Sequence, residues 1–153
     1  MLLLKVSIAH KKVISRMHKE YKSLNRNTTR IRYHIELSFR YGYKVAQSIG
    51  DDNVKSIINS AVSHCEGVKL LSVGIDKNHV HMVIDSPPYW SVTQLVDRIK
   101  QLSTHRAWMK YFPIVKQFCG KKKVLFSDGY FCESIGNVEE NVVIDYVRNQ
   151  GKK

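Results

Sequence analysis

Hydrophobic and polar residues along this chain follow two periods, and the switches between them mark out the elements. Ile31, Tyr33, Ile35, Leu37 and Phe39 alternate with polar neighbours, the period of a half-buried strand. Behind Asp51-Asp52, residues Val54, Ile57, Ile58, Ala61, Val62 and Cys65 recur at three- and four-residue intervals, which predicts a helix capped by a carboxylate and stopped by Gly67. Two strand-like runs, 69–75 and 79–85, are joined by Asp76-Lys77-Asn78, a link so short that the pair must be an antiparallel hairpin; Pro87-Pro88 ends the second run. Ser91 and Gln94 have the spacing of a capping box ahead of Val92, Leu95, Val96, Ile99, Leu102 and Met109, predicting a helix over about 92–112 halted by Pro113. Segments 121–126 and 130–132 flank the turn-like Ser127-Asp128-Gly129 in a final broken strand. Gly136-Asn137, with Glu140 at the capping-box position, introduces a last helix through Val138, Val142, Val143, Tyr146 and Val147.

The order β-α-β-β-α-β plus a terminal helix predicts an α+β fold of the ferredoxin-like or RRM-like plan: one antiparallel sheet with helices on one face, the other face open to a ligand. Upstream, Ile14, Met17, Tyr21 and Leu24 have helical spacing, and residues 25–29 read as a polar linker. The chain thus divides into a basic N-terminal arm, 1–29, and a domain, 30–153. With 153 residues, 43% apolar and 25% charged, and a mean hydropathy of −0.30, it has the size and composition of one folded domain rather than of a disordered or collagen-like chain.

Charge sharpens the functional question. Lys and Arg number 25 against 13 Asp and Glu, a net charge of +12, so a polyanion is the first partner to test. Residues 1–33 hold nine basic side chains against Glu20 alone, which concentrates +8 of that charge near the start of the chain. No run reaches the roughly 18 apolar residues of a membrane span, and nothing resembles a signal peptide. Cys65, Cys119 and Cys132 are odd in number and lack C-x-x-C spacing, so they are expected to be reduced thiols in a cytoplasmic protein.

Two constellations carry chemistry. His79-Val80-His81 lies on a strand, where alternation sends both imidazoles to one face, ready to share a divalent metal with a third group; two strand histidines binding nothing is the competing reading. Tyr146 and Gln150 stand four apart on the last helix and so share a face, although a helical tyrosine is often simply packed. Neutral imidazoles leave a metal its full charge, which suits it to polarise a phosphodiester. A phenol has a reference pKa of about 10 and is a good leaving group once esterified, so the pair favours reversible strand transfer over hydrolysis.

Histidine-hydrophobic-histidine on such a sheet, followed by Tyr-x-x-x-Gln on a terminal helix, resembles the single-tyrosine HUH transposases of the IS200/IS605 insertion-sequence family. The likeness extends to Tyr33-His34-Ile35 running into Phe39-Arg40-Tyr41-Gly42-Tyr43-Lys44-Val45, to Asn78-His79-Val80-His81-Met82-Val83-Ile84 and its exit Ser86-Pro87-Pro88, and to Ile99-Lys100 with Ser103. Phe126-Ser127-Asp128-Gly129-Tyr130-Phe131 is similar to the family's W-S-x-G-Y-F segment with Phe126 in place of tryptophan, and Met17-His18-Lys19-Glu20-Tyr21 to a family start. The resemblance implies a metal-dependent enzyme in which His79, His81 and Gln150 bind Mg²⁺ or Mn²⁺ and Tyr146 is the nucleophile. It implies a substrate of single-stranded DNA with hairpin ends, cut through a 5′-phosphotyrosine intermediate. It also implies a homodimer in which Tyr146 acts in trans, with Gly136-Asn137 as the hinge.

Arg40, Lys44, Lys100 and Lys121-Lys122-Lys123 are candidates for phosphate contacts, and Tyr41, Tyr43 and Tyr130 for stacking on unpaired bases. Two other readings compete. One is a non-catalytic RRM-like nucleic-acid-binding module, which would present aromatics on its central strands. The other is a domesticated HUH endonuclease acting on repetitive hairpins.

Overall fold

The structure, a computed structural model, describes residues 22–24, 27–40, 45–136 and 140–152. Its frame is a four-stranded sheet of β3 (Ile31–Ser38), β4 (Lys69–Asp76), β5 (His79–Ser86) and β6 (Phe131–Ser134), ordered β4-β5-β3-β6 with every neighbouring pair antiparallel. This is the expected α+β plan, with the two strands nearest in sequence to the candidate chemistry, β3 and β5, at its centre. The apolar face of those strands, Ile35, Leu37, Val80, Met82 and Ile84, forms the main core with Ile58 and Val62 of α2 (Asp51–Ser63) and Leu95 and Ile99 of α3 (Val92–Lys110). Burial of such a cluster is the principal force that holds the layers together.

Several boundaries differ from the sequence reading, each for a local reason. Leu24 ends no helix, and 27–29 is not a linker: β1 (Lys22–Leu24) and β2 (Asn27–Thr29) pair as a small antiparallel ladder, Leu24 opposite Asn27. Thr28 and Thr29 are β-branched and suit that extended form. A short helix, α1 (Val45–Ile49), buries Val45, Ala46 and Ile49 ahead of α2, whose N-cap is Gly50 at φ 98° with no side-chain cap bond from Asp51 or Asp52. α3 has the predicted Ser91–Gln94 capping box but ends at Lys110, and Pro113 begins rather than halts a helix: it lies in the first turn of α4 (Phe112–Cys119), where a missing N–H costs nothing. Segment 121–126 makes no strand, and only Phe126 bridges to Phe39.

The second face of the sheet is not left wholly open. The terminal helix α5 (Glu140–Arg148) lies along β4 and β5, where Val147 is buried with Val83 and Ile135 and is flanked by Leu71, Val143 and Ile144. A bulge between Leu70 and Ser72 builds this seat. It turns Leu71 toward α5 and lets the Ser72 hydroxyl donate to the Ile144 carbonyl at 3.1 Å. At the start of the helix the Glu140 carboxylate accepts from Arg30 and Arg32, and Arg32 also pairs with Asp85 at 3.3 Å. At its end the backbone approaches the sheet so closely that a Cβ on Gly74 would collide with the Val147 carbonyl. Asn137, the capping and hinge candidate, lies outside the described residues.

Candidate active site

Strand register gathers the polar side chains. The β3–β5 ladder pairs Glu36 with His81 and Ser38 with His79, while β4 sets Gly74 on the other side of His81. His79 and His81 share a face, as strand alternation requires, with ring centroids 6.3 Å apart. His34, two residues before Glu36 on the same face, stacks on His81 with centroids 5.6 Å apart, and its Nε2 is 3.3 Å from His81 Nδ1, a hydrogen bond between two rings. Glu36 lies against both candidate ligands: its carboxylate oxygens are 3.6 Å from His79 Nε2 and 3.8 Å from His81 Nδ1.

Burial dominates the electrostatics of the two inner rings. It pushes the His81 imidazole below its ordinary value; Glu36 opposes that shift, while His34 and His79 add to it. Burial likewise lowers His34, against the pull of Glu36 and Glu133. Both rings are therefore held in the neutral form that donates a lone pair to a metal.

Tyr146 arrives from the same chain. Its ring, 57% exposed, stands edge-on to His81 at 6.4 Å and to His34 at 6.5 Å. Gln150 follows in the turn after α5; its Nε2 donates to the Tyr146 carbonyl at 3.3 Å, and its Cβ lies 3.0 Å from where a Gly74 Cβ would stand, beside the strand partner of His81. The four residues singled out in the sequence are thus brought to one region. His34, Glu36 and the half-exposed Phe131, whose ring is 5.8 Å from His34, join them unannounced. For His34 and Glu36 the signal was the polar phase of the strand 31–38, but its meaning depends on cross-strand register.

Among the described residues no three His, Cys, Asp or Glu side chains converge as a finished metal cage. The open pair of His79 and His81 nonetheless fits a catalytic ion, which must keep coordination positions free for a substrate oxygen. The central strands carry histidines and a glutamate on this face, not the aromatics that RRM-like stacking requires.

The basic candidates fare unequally. The Lys100 ammonium donates to the carbonyls of Ser127, Asp128 and Gly129 at 2.7, 3.0 and 2.9 Å, so all three of its protons go to organising that turn. Arg40 approaches Asp128 at 4.0 Å and its backbone N–H donates to Leu125. Lys121, Lys122 and Lys123 are exposed. Tyr130 is half-exposed with its hydroxyl 3.0 Å from Thr93 Oγ1, whereas Tyr41, Tyr43 and Lys44 lie outside the described residues. All three cysteines are free thiols. No helix among the described residues is long and apolar enough to cross a membrane.

A family model described as IS200-like transposase matches residues 27–150. Among solved structures, one described as a "putative transposase from deinococcus radiodurans r1" superposes with a TM-score of 0.65 at 20% identity, over 84% of this chain and 97% of that one. The structure of a REP-associated tyrosine transposase bound to a REP hairpin superposes with a TM-score of 0.53 at 12% identity, over 82% of this chain and 70% of that one. At these identities the two structures attest a shared fold. No curated protein matches the chain.

Proposed function

Because this chain belongs to the IS200-like transposase family, we propose that it cuts and rejoins single-stranded DNA through a covalent bond to Tyr146. The observation that carries this reading is the exposed phenol ring standing 6.4 Å from the His81 ring and 6.5 Å from the His34 ring. His79 and His81 would hold Mg²⁺ or Mn²⁺ with Gln150 as an amide ligand, and the bound ion would polarise a non-bridging phosphate oxygen and offset developing negative charge. The Tyr146 oxygen forms a bond to phosphorus as the bond from phosphorus to the 3′ oxygen breaks. The phenol proton leaves to solvent and the 3′ oxygen gains one, which gives a 5′-phosphotyrosine and a free 3′-hydroxyl. Attack by another 3′-hydroxyl reverses the sequence. One phosphodiester is exchanged for another, so no outside energy source is needed.

A hairpin-bearing substrate is supported by the REP hairpin bound to the structural relative, and the exposed Lys121, Lys122 and Lys123, with Arg40, are the phosphate contacts we favour. Delivery of Tyr146 in cis is supported over exchange across a homodimer. The apolar seat of Val147 and the tie of Glu140 to Arg30 and Arg32 hold α5 on its own sheet.

The test is formation of an SDS-resistant protein–DNA adduct on single-stranded hairpin oligonucleotides with Mg²⁺ or Mn²⁺. Tyr146→Phe is expected to abolish the adduct and spare binding; an adduct that persists in this variant would move the nucleophile elsewhere. Mixing Tyr146→Phe protein with His79→Ala protein separates the two deliveries: cis delivery leaves the mixture inactive, whereas recovered adduct means that helices are exchanged.

A further inference from the structure

We propose that Phe131 is the platform on which one unpaired nucleobase of the DNA strand stacks while Tyr146 meets the phosphate. This rests on the single-stranded substrate proposed above and adds a residue that touches it. Phe131 opens the edge strand β6, in register with Glu36 of β3, as Glu133 is with His34. Cross-strand partners share a face, so Phe131 stands on the side of the sheet that carries His34 and Glu36. Its ring is 49% exposed and, among the described residues, packs into neither apolar cluster. A lone exposed ring would need no explanation; the position of this one does. The His34 imidazole, 8% exposed, has two aromatic neighbours set nearly upright to it: Phe131 at 5.8 Å with planes 70° apart, and Tyr146 at 6.5 Å with planes 80° apart. The sheet order β4-β5-β3-β6 puts Phe131 on one flank of His34, whereas Tyr146 comes from the other flank on α5, which packs along β4 and β5. The buried imidazole is thus the floor of a shallow slot whose walls are two exposed rings, one of them the nucleophile's.

Charge decides what can occupy it. Glu36 lies opposite Phe131, and the exposed Glu133 lies two residues along the same face. Two carboxylates beside the ring repel phosphate, so the backbone of a bound strand is held off this patch and the group that covers Phe131 must be flat and uncharged. A nucleobase meets both conditions. Stacking on an aromatic ring serves any base, and a neighbouring carboxylate can accept from an exocyclic amino group such as that of cytosine. Bases inside a duplex are stacked on one another and cannot offer that face, so the slot selects an unpaired strand. A second copy of this chain is the poorer occupant, because one ring on a four-residue edge strand falls far short of the roughly 800 Å² per partner that a stable interface buries.

The experiment uses Tyr146→Phe protein, which keeps both walls of the slot, and a hairpin oligonucleotide whose single-stranded thymidine flank carries one 2-aminopurine, placed at each flank position in turn. Binding is expected to quench the fluorescence at one position. Adding Phe131→Ala should remove that quenching and weaken binding about tenfold, whereas Phe131→Trp should retain both. On the unmutated protein the Phe131 ring proton resonances should move upfield as the oligonucleotide is added, a readout independent of how any variant folds. Unchanged affinity and quenching in Phe131→Ala, or Phe131 resonances that stay still while those of Tyr146 respond, would overturn the platform. A change of oligomeric state in Phe131→Ala with DNA binding unaltered would overturn it in favour of a second copy. If Phe131 responds to DNA and the unmutated protein yields no adduct, the strand-transfer reading fails and the platform stands; no binding of the single-stranded flank by the unmutated protein would overturn both.

Discussion

Gly74→Ala tests whether the chemistry depends on how closely α5 rests on the sheet. Gly74 pairs with His81, and a Cβ there would run into the Val147 carbonyl and come 3.0 Å from the Gln150 Cβ. The first obstacle is helix backbone and cannot rotate aside, so the end of α5 must retreat by roughly 1.5 Å to restore ordinary contact. Overpacking of this kind costs about 1–3 kcal/mol, or roughly 3–10 °C in Tm for a domain of this size. The same displacement withdraws Tyr146 from His81. A misplacement of about 1 Å in a reacting group is worth on the order of 100-fold in rate. Three measurements follow: thermal melting, hydrogen exchange of the α5 amides, and the initial rate of adduct formation. The expected result is a modest loss of Tm, markedly faster exchange confined to α5, and an adduct rate about 100-fold down. Unchanged exchange in α5 together with an unchanged adduct rate would refute the reasoning, because the close approach would then not be what positions the tyrosine.

Glu140→Ala removes the shared partner of two guanidinium groups whose side chains are only 6% and 12% exposed. Breaking a buried ion pair in this way costs about 3–5 kcal/mol, and the loss should appear as faster hydrogen exchange in α5 and a falling adduct yield, because Arg32 keeps Asp85. Lys100→Met deletes three hydrogen bonds to the 127–129 turn and is expected to cost about 1–3 kcal/mol in denaturant unfolding; a loss of DNA affinity with unchanged stability would instead restore its role as a phosphate contact. His34 and His81 have folded-state values held below 6.5, so near and below that pH the unfolded chain binds more protons and stability falls as pH drops. Urea unfolding at pH 7.5 and 5.5 at equal salt should show this loss, and His34→Gln should diminish it; equal stability at the two values would contradict the shifts.

What the sequence made legible was periodic. The alternation of 31–39, the hairpin around Lys77, the α3 capping box and the common face of His79 and His81 all rest on local patterns, and the structure keeps them. What escaped depends on partners distant in the chain. His34 and Glu36 look like ordinary outward-facing strand residues until the β3–β5 register sets them beside His81. The apolar stripe of Val143 and Val147 announces a buried helix face but cannot say that its partners are Val83 and Leu71 on the second side of the sheet. Lys100 carries no sign that three carbonyls will take its protons, and Pro113 stops or starts a helix equally well by pattern alone.

The bulge at Leu71 separates two properties that evolution would otherwise have to alter together. Deleting that one codon would restore an unbroken ladder, since Leu70 already opposes Ile84 and Ser72 already opposes Val83. Hydrogen-bonded scaffold and imidazoles would both survive, but the terminal helix would lose an apolar wall of its berth. Grip on the nucleophile-bearing segment can therefore be tuned by insertion or deletion, with every reactive side chain left untouched.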